Sequence, residues 1–255
     1  MFDLNNFVID RIVRGVALSQ KDDSVLFSIN QIQNASLNCS SESTDAVDAM
    51  GTPIATFYRA KSAEFSAENA LFDMNLMATQ LGTSKKVASA DAKIVVPAME
   101  SFVVEADGED SLKPYTLKHT PVAAPTEIYA LNEDSTFGTK YSVKTGNGEG
   151  FTYADGVITL PAGIAVGTDM FVMYEYATEN AVEVVNSAKN FPVGCKFVME
   201  VLGCDVCDQT NLVYAYVIFN NAKLSPDFDW SIATDGSHPF SMKAQQDLNN
   251  RSLAA

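Results

Sequence analysis

A chain of 255 residues, of which 47% are hydrophobic and 19% charged, has ample material for one large globular domain or for a domain with a smaller insertion. Its formal net charge of −15 disfavours unaided binding to nucleic acid, which depends on Lys and Arg, and docking on anionic membranes. No apolar run approaches the roughly 18 residues that span a bilayer, and the N-terminus does not resemble a signal peptide. We therefore expect a soluble protein that matures where it is made.

The first part of the chain is predicted to form strands. Short runs rich in Val, Ile, Phe and Tyr, separated by turn residues, indicate strands over residues 8–18, 25–32 and 35–43. Residues 42–56 are polar and are expected to form a long loop. A strand over 56–65 follows, and strict alternation would place Phe57, Arg59, Lys61 and Phe65 on one face. The charges on this face suggest that it meets a polar partner surface as well as solvent.

One helix is predicted between Ser66 and Gly82. Ser66 is a favourable N-cap, Glu68 suits the positive end of the helix dipole, and Gly82 is placed to end the helix. Apolar side chains recur between them at helical spacing and should pack on a sheet. These side chains are Ala70, Leu71, Met74, Met77, Ala78 and Leu81.

The remaining chain returns to strands. A strand is predicted over 93–105, followed by an acidic turn at 107–110. Shorter strands follow over 126–131, 140–144, 157–160 and 170–176, and this change of character predicts a small β region over 121–187, inserted into a parent domain formed by 1–120 and 188–255. One continuous large sheet would explain the pattern as well. Strands over 195–202 and 212–219 are apolar on both faces, as expected of strands buried between two layers. A turn at 234–239 precedes the last strand, over 240–244.

The sequence shows no cluster of the residues that catalytic or metal sites typically use. Of the four cysteines, only Cys204 and Cys207 have metal-like spacing, and no second pair or His cluster accompanies them. Their neighbours indicate a strand end running into a turn, whereas a redox CxxC starts a helix. The sequence has no P-loop, GxGxxG, GxSxG or HExxH motif, and the glycine-rich segment 146–150 is interpreted as a hairpin loop. We expect no cofactor, no metal and no enzymatic activity.

Several local sequences are informative as a set. In the first half these are DAMGTPI at 48–54, FYRAK at 57–61 and SAENA at 66–70, where a loop leads into a strand with a basic end and then into the helix. Near the end, AKLSPDF at 222–228 and DGSHPFSMKA at 235–244 indicate closing strands joined by an acidic turn. Taken together, these segments resemble bacteriophage tail tube (major tail) proteins. The resemblance covers about residues 1–115 and 190–255, and the middle segment departs from the minimal family pattern.

The resemblance implies a structural virion protein. Its fold would be mainly β, an antiparallel β-sandwich or partial barrel with one flanking α-helix. Copies would close into hexameric rings whose exposed sheet edges pair, and stacked rings would form the tail tube through which DNA is ejected. Partners would be further copies of the chain, tape-measure and baseplate or terminator proteins and, in a contractile tail, a sheath. Assembly would take place in the host cytoplasm, and an acidic lumen would repel the passing DNA.

Candidate contacts between subunits come from two places. Glu42, Asp45 and Asp48 lie in the expected loop, and a solvated loop explains them better than calcium, because they lack the spacing of an EF-hand. Arg59 and Lys61 are expected to pair with acidic groups on a neighbour, although a solvated strand face would explain them equally well. The 121–187 segment is expected to lie outward, because it would otherwise block the channel.

Other functions remain open. A head decoration protein, or the tube of a phage-tail-like bacteriocin, would share these features. A carbohydrate-binding β-sandwich would instead use surface aromatic residues, for which the candidates are Tyr141, Phe151, Tyr153 and Trp230.

Overall fold

The computed structural model describes residues 6–108, 111–145, 150–234 and 236–245. Parts of the turns predicted at 107–110, 146–150 and 234–239 therefore lie outside the described residues. The chain divides into two compact units, which we call unit 1 (residues 1–85 and 184–255) and unit 2 (residues 86–183). Both consist mainly of antiparallel strands, as the sequence predicts.

The described residues form sixteen strands and one helix. Each strand predicted from the sequence is present, and the missed ones are only two or three residues long. The elements are β1 (Phe7–Ser19), β2 (Val25–Ile29), β3 (Ile32–Val47), β4 (Pro53–Asn69), α1 (Met74–Gln80), β5 (Lys86–Val87), β6 (Ile94–Val103), β7 (Tyr115–Thr116), β8 (Glu127–Leu131), β9 (Phe137–Ser142), β10 (Thr152–Ala154), β11 (Val157–Thr159), β12 (Asp169–Thr178), β13 (Val182–Glu183), β14 (Gly194–Asp205), β15 (Asp208–Leu224) and β16 (His238–Ala244).

Unit 1 is built on one antiparallel sheet of seven strands, in the order β2-β1-β14-β15-β16-β4-β3. Its inner face carries a cluster of buried phenylalanines, because alternate residues of each strand point to the same side. The ring of Phe65 lies 5.8, 6.0 and 5.9 Å, between centroids, from the rings of Phe197, Phe219 and Phe240. Burying each such side chain contributes about 1.5–3 kcal/mol, so this cluster is the main source of cohesion in the sheet.

The sheet of unit 1 curls so that strands far apart in its order approach each other. A Cβ atom built on Gly15 of β1 would lie 2.7 Å from the ring of Phe197 and 3.1 Å from Cδ1 of Ile32 in β3. Only glycine fits this position. Among the described strands β2 and β3 do not pair, so the curled sheet does not close. The fold class predicted from the sequence is confirmed.

The helix of unit 1 begins later than predicted. Asp73 is its N-cap, and its carboxylate accepts hydrogen bonds from the backbone N–H groups of Asn75 and Leu76, at 2.8 and 2.7 Å. Ser66 instead lies in β4, opposite Ser241 of β16. Its surroundings alternate inward apolar and outward polar side chains, and pairing with strands on both sides outweighs a good capping residue.

The apolar stripe of the helix is only partly as predicted. Leu81 is buried, and Met74 and Met77 are half-buried. Ala70 and Leu71 precede the helix, and Leu71 is 60% exposed, so the expectation that it packs on the sheet was wrong. Leu76, which the stripe omitted, is the helical residue that enters the phenylalanine cluster.

Unit 2 contains a four-stranded sheet, β6-β12-β8-β9, and a three-stranded sheet, β10-β11-β7, which share one apolar core. β5 and β13 form a separate short pair. The unit is larger than the expected 121–187 segment, because β6 pairs with β12 along its whole length, from Ile94 opposite Thr178 to Val103 opposite Asp169. The local sequence of β6 does not indicate which strand it pairs with.

Glu100 is a carboxylate inside the core of unit 2, only 3% exposed. It accepts hydrogen bonds from the hydroxyl groups of Tyr115 (2.8 Å) and Tyr174, and from the backbone N–H of Lys118 (3.1 Å). Burial and the hydrogen bond to Glu100 raise the pKa of both tyrosines to about 12. The carboxylate is therefore stabilised by neutral donors that remain protonated at neutral pH.

Replacing Glu100 should destabilise unit 2 by leaving these donors without an acceptor. We expect Glu100→Ala to lower the free energy of unfolding by about 2–4 kcal/mol. Glu100→Gln is the matched control, since it keeps the shape and one acceptor oxygen, and should lose about half as much or less. Urea denaturation followed by circular dichroism measures both, and equal losses would contradict the proposed role of the hydrogen bonds.

A second buried polar group, His238, begins β16 in unit 1. Its Nε2 lies 2.8 Å from Oε1 of Gln80, whose Nε2 donates to the carbonyl oxygen of Pro239 at 3.2 Å. The ring stacks on Phe72 at a centroid distance of 5.2 Å. Burial lowers the pKa of His238, an effect that the nearby charge of Asp73 partly opposes.

The lowered pKa of His238 predicts a loss of stability in mild acid. The unfolded chain binds a proton at His238 more readily than the folded chain does. The stabilising contribution of neutral His238 is therefore complete above its pKa in the unfolded chain, about 6.5, and is lost as the pH drops through its lower pKa in the folded chain. We expect the melting temperature to decrease between about pH 7.5 and pH 5, where most carboxyl groups stay ionised. His238→Gln should flatten this dependence. If the melting temperature of the variant falls with pH as steeply as that of the wild type, other groups cause the acid sensitivity.

Candidate assembly surface

The β3–β4 hairpin extends beyond the seven-stranded sheet. β4 pairs with β16 only from Glu64 to Asn69, whereas its pairing with β3 continues out to Pro53. We call the two-stranded part, residues 39–63, the ribbon. At about 3.3 Å per residue it reaches roughly 30 Å past the last contact with β16. Two strands without a third are only marginally stable by themselves.

The tip of the ribbon is a tight turn rather than the long loop predicted over 42–56. The carboxylate of Asp48 accepts hydrogen bonds from the backbone N–H groups of Thr52 and Met50, both at 2.8 Å, and these bonds lower its pKa. Gly51 supplies a positive φ of 84°. Glu42 and Asp45 therefore lie in β3 and not in a loop, because the hairpin closes only between 47 and 53.

Arg59 and Lys61 lie on opposite faces of the ribbon, not on one face as predicted. Lys61 is opposite Ser41 and Arg59 is opposite Glu42, so β4 carries one extra residue between two adjacent partners. Such a β-bulge reverses the alternation of side chains. Within the described part of the chain, neither cation forms an ion pair, although Glu42 is opposite Arg59.

The ribbon exposes several large apolar side chains. Met50 at the tip is 92% exposed and Tyr58 is 74% exposed. Further exposed side chains are Val47, Ile54 and Phe57. Several large apolar side chains exposed on one narrow projecting element make it a candidate interaction site. The candidate contact residues Glu42, Asp45, Asp48, Arg59 and Lys61 thus belong to one exposed element of unit 1, although on different faces of it.

A second exposed surface of unit 1 lies in the connection from β15 to β16. Trp230 stacks on Phe72 with ring centroids 4.2 Å apart and planes within 10°, and Ile232 beside it is 85% exposed. Asp227 and Asp229 line an open cavity of about 410 Å³. The other residues around this cavity are Asn34, Ser66, Ala67, Glu68, Phe228, Pro239, Phe240 and Ser241.

Three of the four aromatic residues proposed for carbohydrate binding lie in or against the core of unit 2. Phe151 is fully buried in the core of unit 2, and Tyr141 and Tyr153 pack against that core. Trp230 belongs to unit 1. Sequence reasoning could not separate core from surface here, because short strands of unit 2 give too little alternation.

A charged cluster that the sequence did not reveal crosses three strands of unit 1. Arg14 Nε lies 2.7 Å from Glu200 Oε2, and the hydroxyl of Tyr216 donates to Glu200 Oε1 at 3.0 Å. The hydrogen bond from Arg14 is the main reason that the pKa of Glu200 is lowered. The sequence predicts that β15 is buried on both faces, but Tyr214 and Tyr216 are exposed.

Metal sites are not found among the described residues. No group of three or more His, Cys, Asp and Glu side chains there is arranged to hold a metal ion. The cysteines are all free, and Cys207 lies in the turn after β14, as its neighbours in sequence indicate. Within the same residues no helix has the length and apolar character needed to cross a membrane.

Comparison with known proteins identifies the family. A model of the YomU/Tube protein family matches residues 7–251, which is nearly the whole chain and includes the 121–187 segment. No curated protein matches the chain. The match agrees with the resemblance to phage tail tube proteins. The chain belongs to the YomU/Tube protein family and is a structural protein of the phage tail tube.

Proposed function

We propose that the chain self-assembles into hexameric rings that stack to form the tail tube, the conduit for DNA at ejection. The ribbon is the observation that carries this proposal. It projects about 30 Å beyond its third strand and exposes Met50, Ile54, Phe57 and Tyr58. A second subunit would bury these side chains and stabilise two strands that are marginal alone.

Closure of the ring would use the edges of the seven-stranded sheet. β2 and β3 end the strand order, so each presents one row of backbone N–H and C=O groups that no described strand satisfies. Pairing between neighbouring copies would satisfy these groups and join the sheets around the lumen. The other candidate contacts, Glu42, Asp45, Asp48, Arg59 and Lys61, would lie between rings or between neighbours on the same ring.

The acidic composition suits a passage for DNA. A net charge of −15 repels phosphates, so DNA would move through the lumen without sticking. The protein would assemble in the host cytoplasm and remain in the virion, with tape-measure and baseplate or terminator proteins as partners, and with a sheath if the tail is contractile. Residues 121–187, with the rest of unit 2, would lie outside the lumen.

Charged substitutions in the ribbon should impair assembly without unfolding the subunit. Met50→Asp combined with Tyr58→Asp places charges where a neighbour must bury apolar groups. We expect at least about a tenfold rise in the protein concentration needed for tubes, since losing such an anchor costs about 1.5–3 kcal/mol. Both residues are exposed, so the melting temperature should not change.

Negative-stain electron microscopy and sedimentation measure this assembly. The matched control is Val122→Asp, which changes an exposed apolar residue of unit 2 and should assemble like the wild type. Stacked rings or tubes of wild-type protein support the proposal. A wild-type protein that stays monomeric at high concentration, or a double variant that assembles normally, would overturn it.

A further inference from the structure

We infer that Arg59 and Lys61 of one subunit bind the surface formed by Asp227, Asp229 and Trp230 of a second copy of this chain. This inference rests on the proposed self-assembly and identifies the two surfaces that would meet. We call the second one the acidic aromatic surface, and it comprises Asp227, Asp229, Trp230, Phe72 and Ile232.

The acidic aromatic surface carries two carboxylates without an ion-pair partner in the part of the chain that the structure describes. Among the described residues, Asp227 and Asp229 form no ion pair. They line one open cavity, and Trp230, which follows Asp229 in the chain, stacks on Phe72 and is 40% exposed. Carboxylates and an exposed indole each suit a guanidinium or ammonium group, the first by ion pairing and the second by stacking.

The ribbon supplies cations that also lack a partner. Seven lysines and arginines form ion pairs with carboxylates among the described residues, but Arg59 and Lys61 do not. The bulge turns these two cations to opposite faces, so they would reach the carboxylates of the second copy from both sides of the ribbon. Tyr58 and Phe57, exposed beside them, would contact Trp230 and Ile232.

The contact cannot form within one subunit. Arg59 and Glu68 lie on the same extended strand, β4, and Glu68 lines the cavity with Asp227 and Asp229. At about 3.3 Å per residue, the strand separates Arg59 from Glu68 by roughly 30 Å, whereas an ion pair needs about 4 Å. A contact between these two surfaces therefore needs two copies. Two unlike surfaces suit the head-to-tail contacts that build rings and filaments.

Charge reversal tests the contact directly. We expect Arg59→Glu with Lys61→Glu, and separately Asp227→Lys with Asp229→Lys, each to raise the concentration needed for tubes by about tenfold or more. The chain carrying all four substitutions restores opposite charges and should assemble again near the wild-type concentration. Lys118→Glu with Lys144→Glu, two exposed lysines of unit 2, changes the net charge as the ribbon variant does and should leave assembly unchanged.

Zero-length cross-linking gives a second readout. A carbodiimide joins an amine to a carboxylate in direct contact, so wild-type tubes should yield a Lys61 cross-link to Asp227 or Asp229. Tubes mixed from isotopically light and heavy subunits should show it between subunits. Wild-type tubes with neither this cross-link nor rescue by the four substitutions overturn the inference and leave the proposed function standing. Wild-type protein that forms no tubes overturns both.

Discussion

The structure of unit 1 depends on how far β4 is paired on both sides. From Glu64 to Asn69 this strand lies between β3 and β16, and its inward residues Phe65 and Ala67 join the buried core. Among the described residues β16 ends at Ala244, and the outer part of β4 has only β3 beside it. β16 has seven residues and β4 has seventeen, so β4 consists of an inner part in the core and an outer part that belongs to the projecting ribbon. The inner part of β4 is paired on both sides, whereas the outer part has β3 as its one partner among the described strands.

The local pattern of the sequence predicts most of the strands but not their partners. Alternation in β4 and β16 indicates strands because inward apolar residues must share one face. The same pattern cannot show that β6 pairs with β12 and thereby extends unit 2 back to residue 86, because this pairing joins residues far apart in the chain. The family resemblance came from the order of short segments, and it needed no knowledge of these pairings.

The errors in prediction share a physical cause. Ser66 has the chemistry of an N-cap, but two strands that can pair with it stabilise the extended backbone more than a cap stabilises a short helix. Arg59 and Lys61 separate onto two faces because of one bulged residue, which no composition rule reveals. Asp48 closes the tip by accepting two backbone hydrogen bonds, so a polar segment that looked like a loop becomes two strands. For Ser66 and Asp48 the hydrogen bonds to specific partners decide the backbone conformation, and for Arg59 and Lys61 the register of the strand pair decides the face.

The distribution of charge follows from the same division between core and ribbon. Glu100 and Glu200 are buried carboxylates with hydrogen-bond donors from neighbouring strands, so the folded chain satisfies them itself. Arg59 and Lys61 have no ion-pair partner among the described residues, and they lie on the part of β4 that the core does not reach. An acidic chain repels its own copies at long range, so a short-range contact is needed to overcome this repulsion. Under the proposed function, the exposed cations and apolar side chains of the ribbon would supply that contact. They act at short range, so a neighbouring subunit would first have to be aligned with the ribbon. The sequence of alignment and then contact would therefore follow from the geometry of β4.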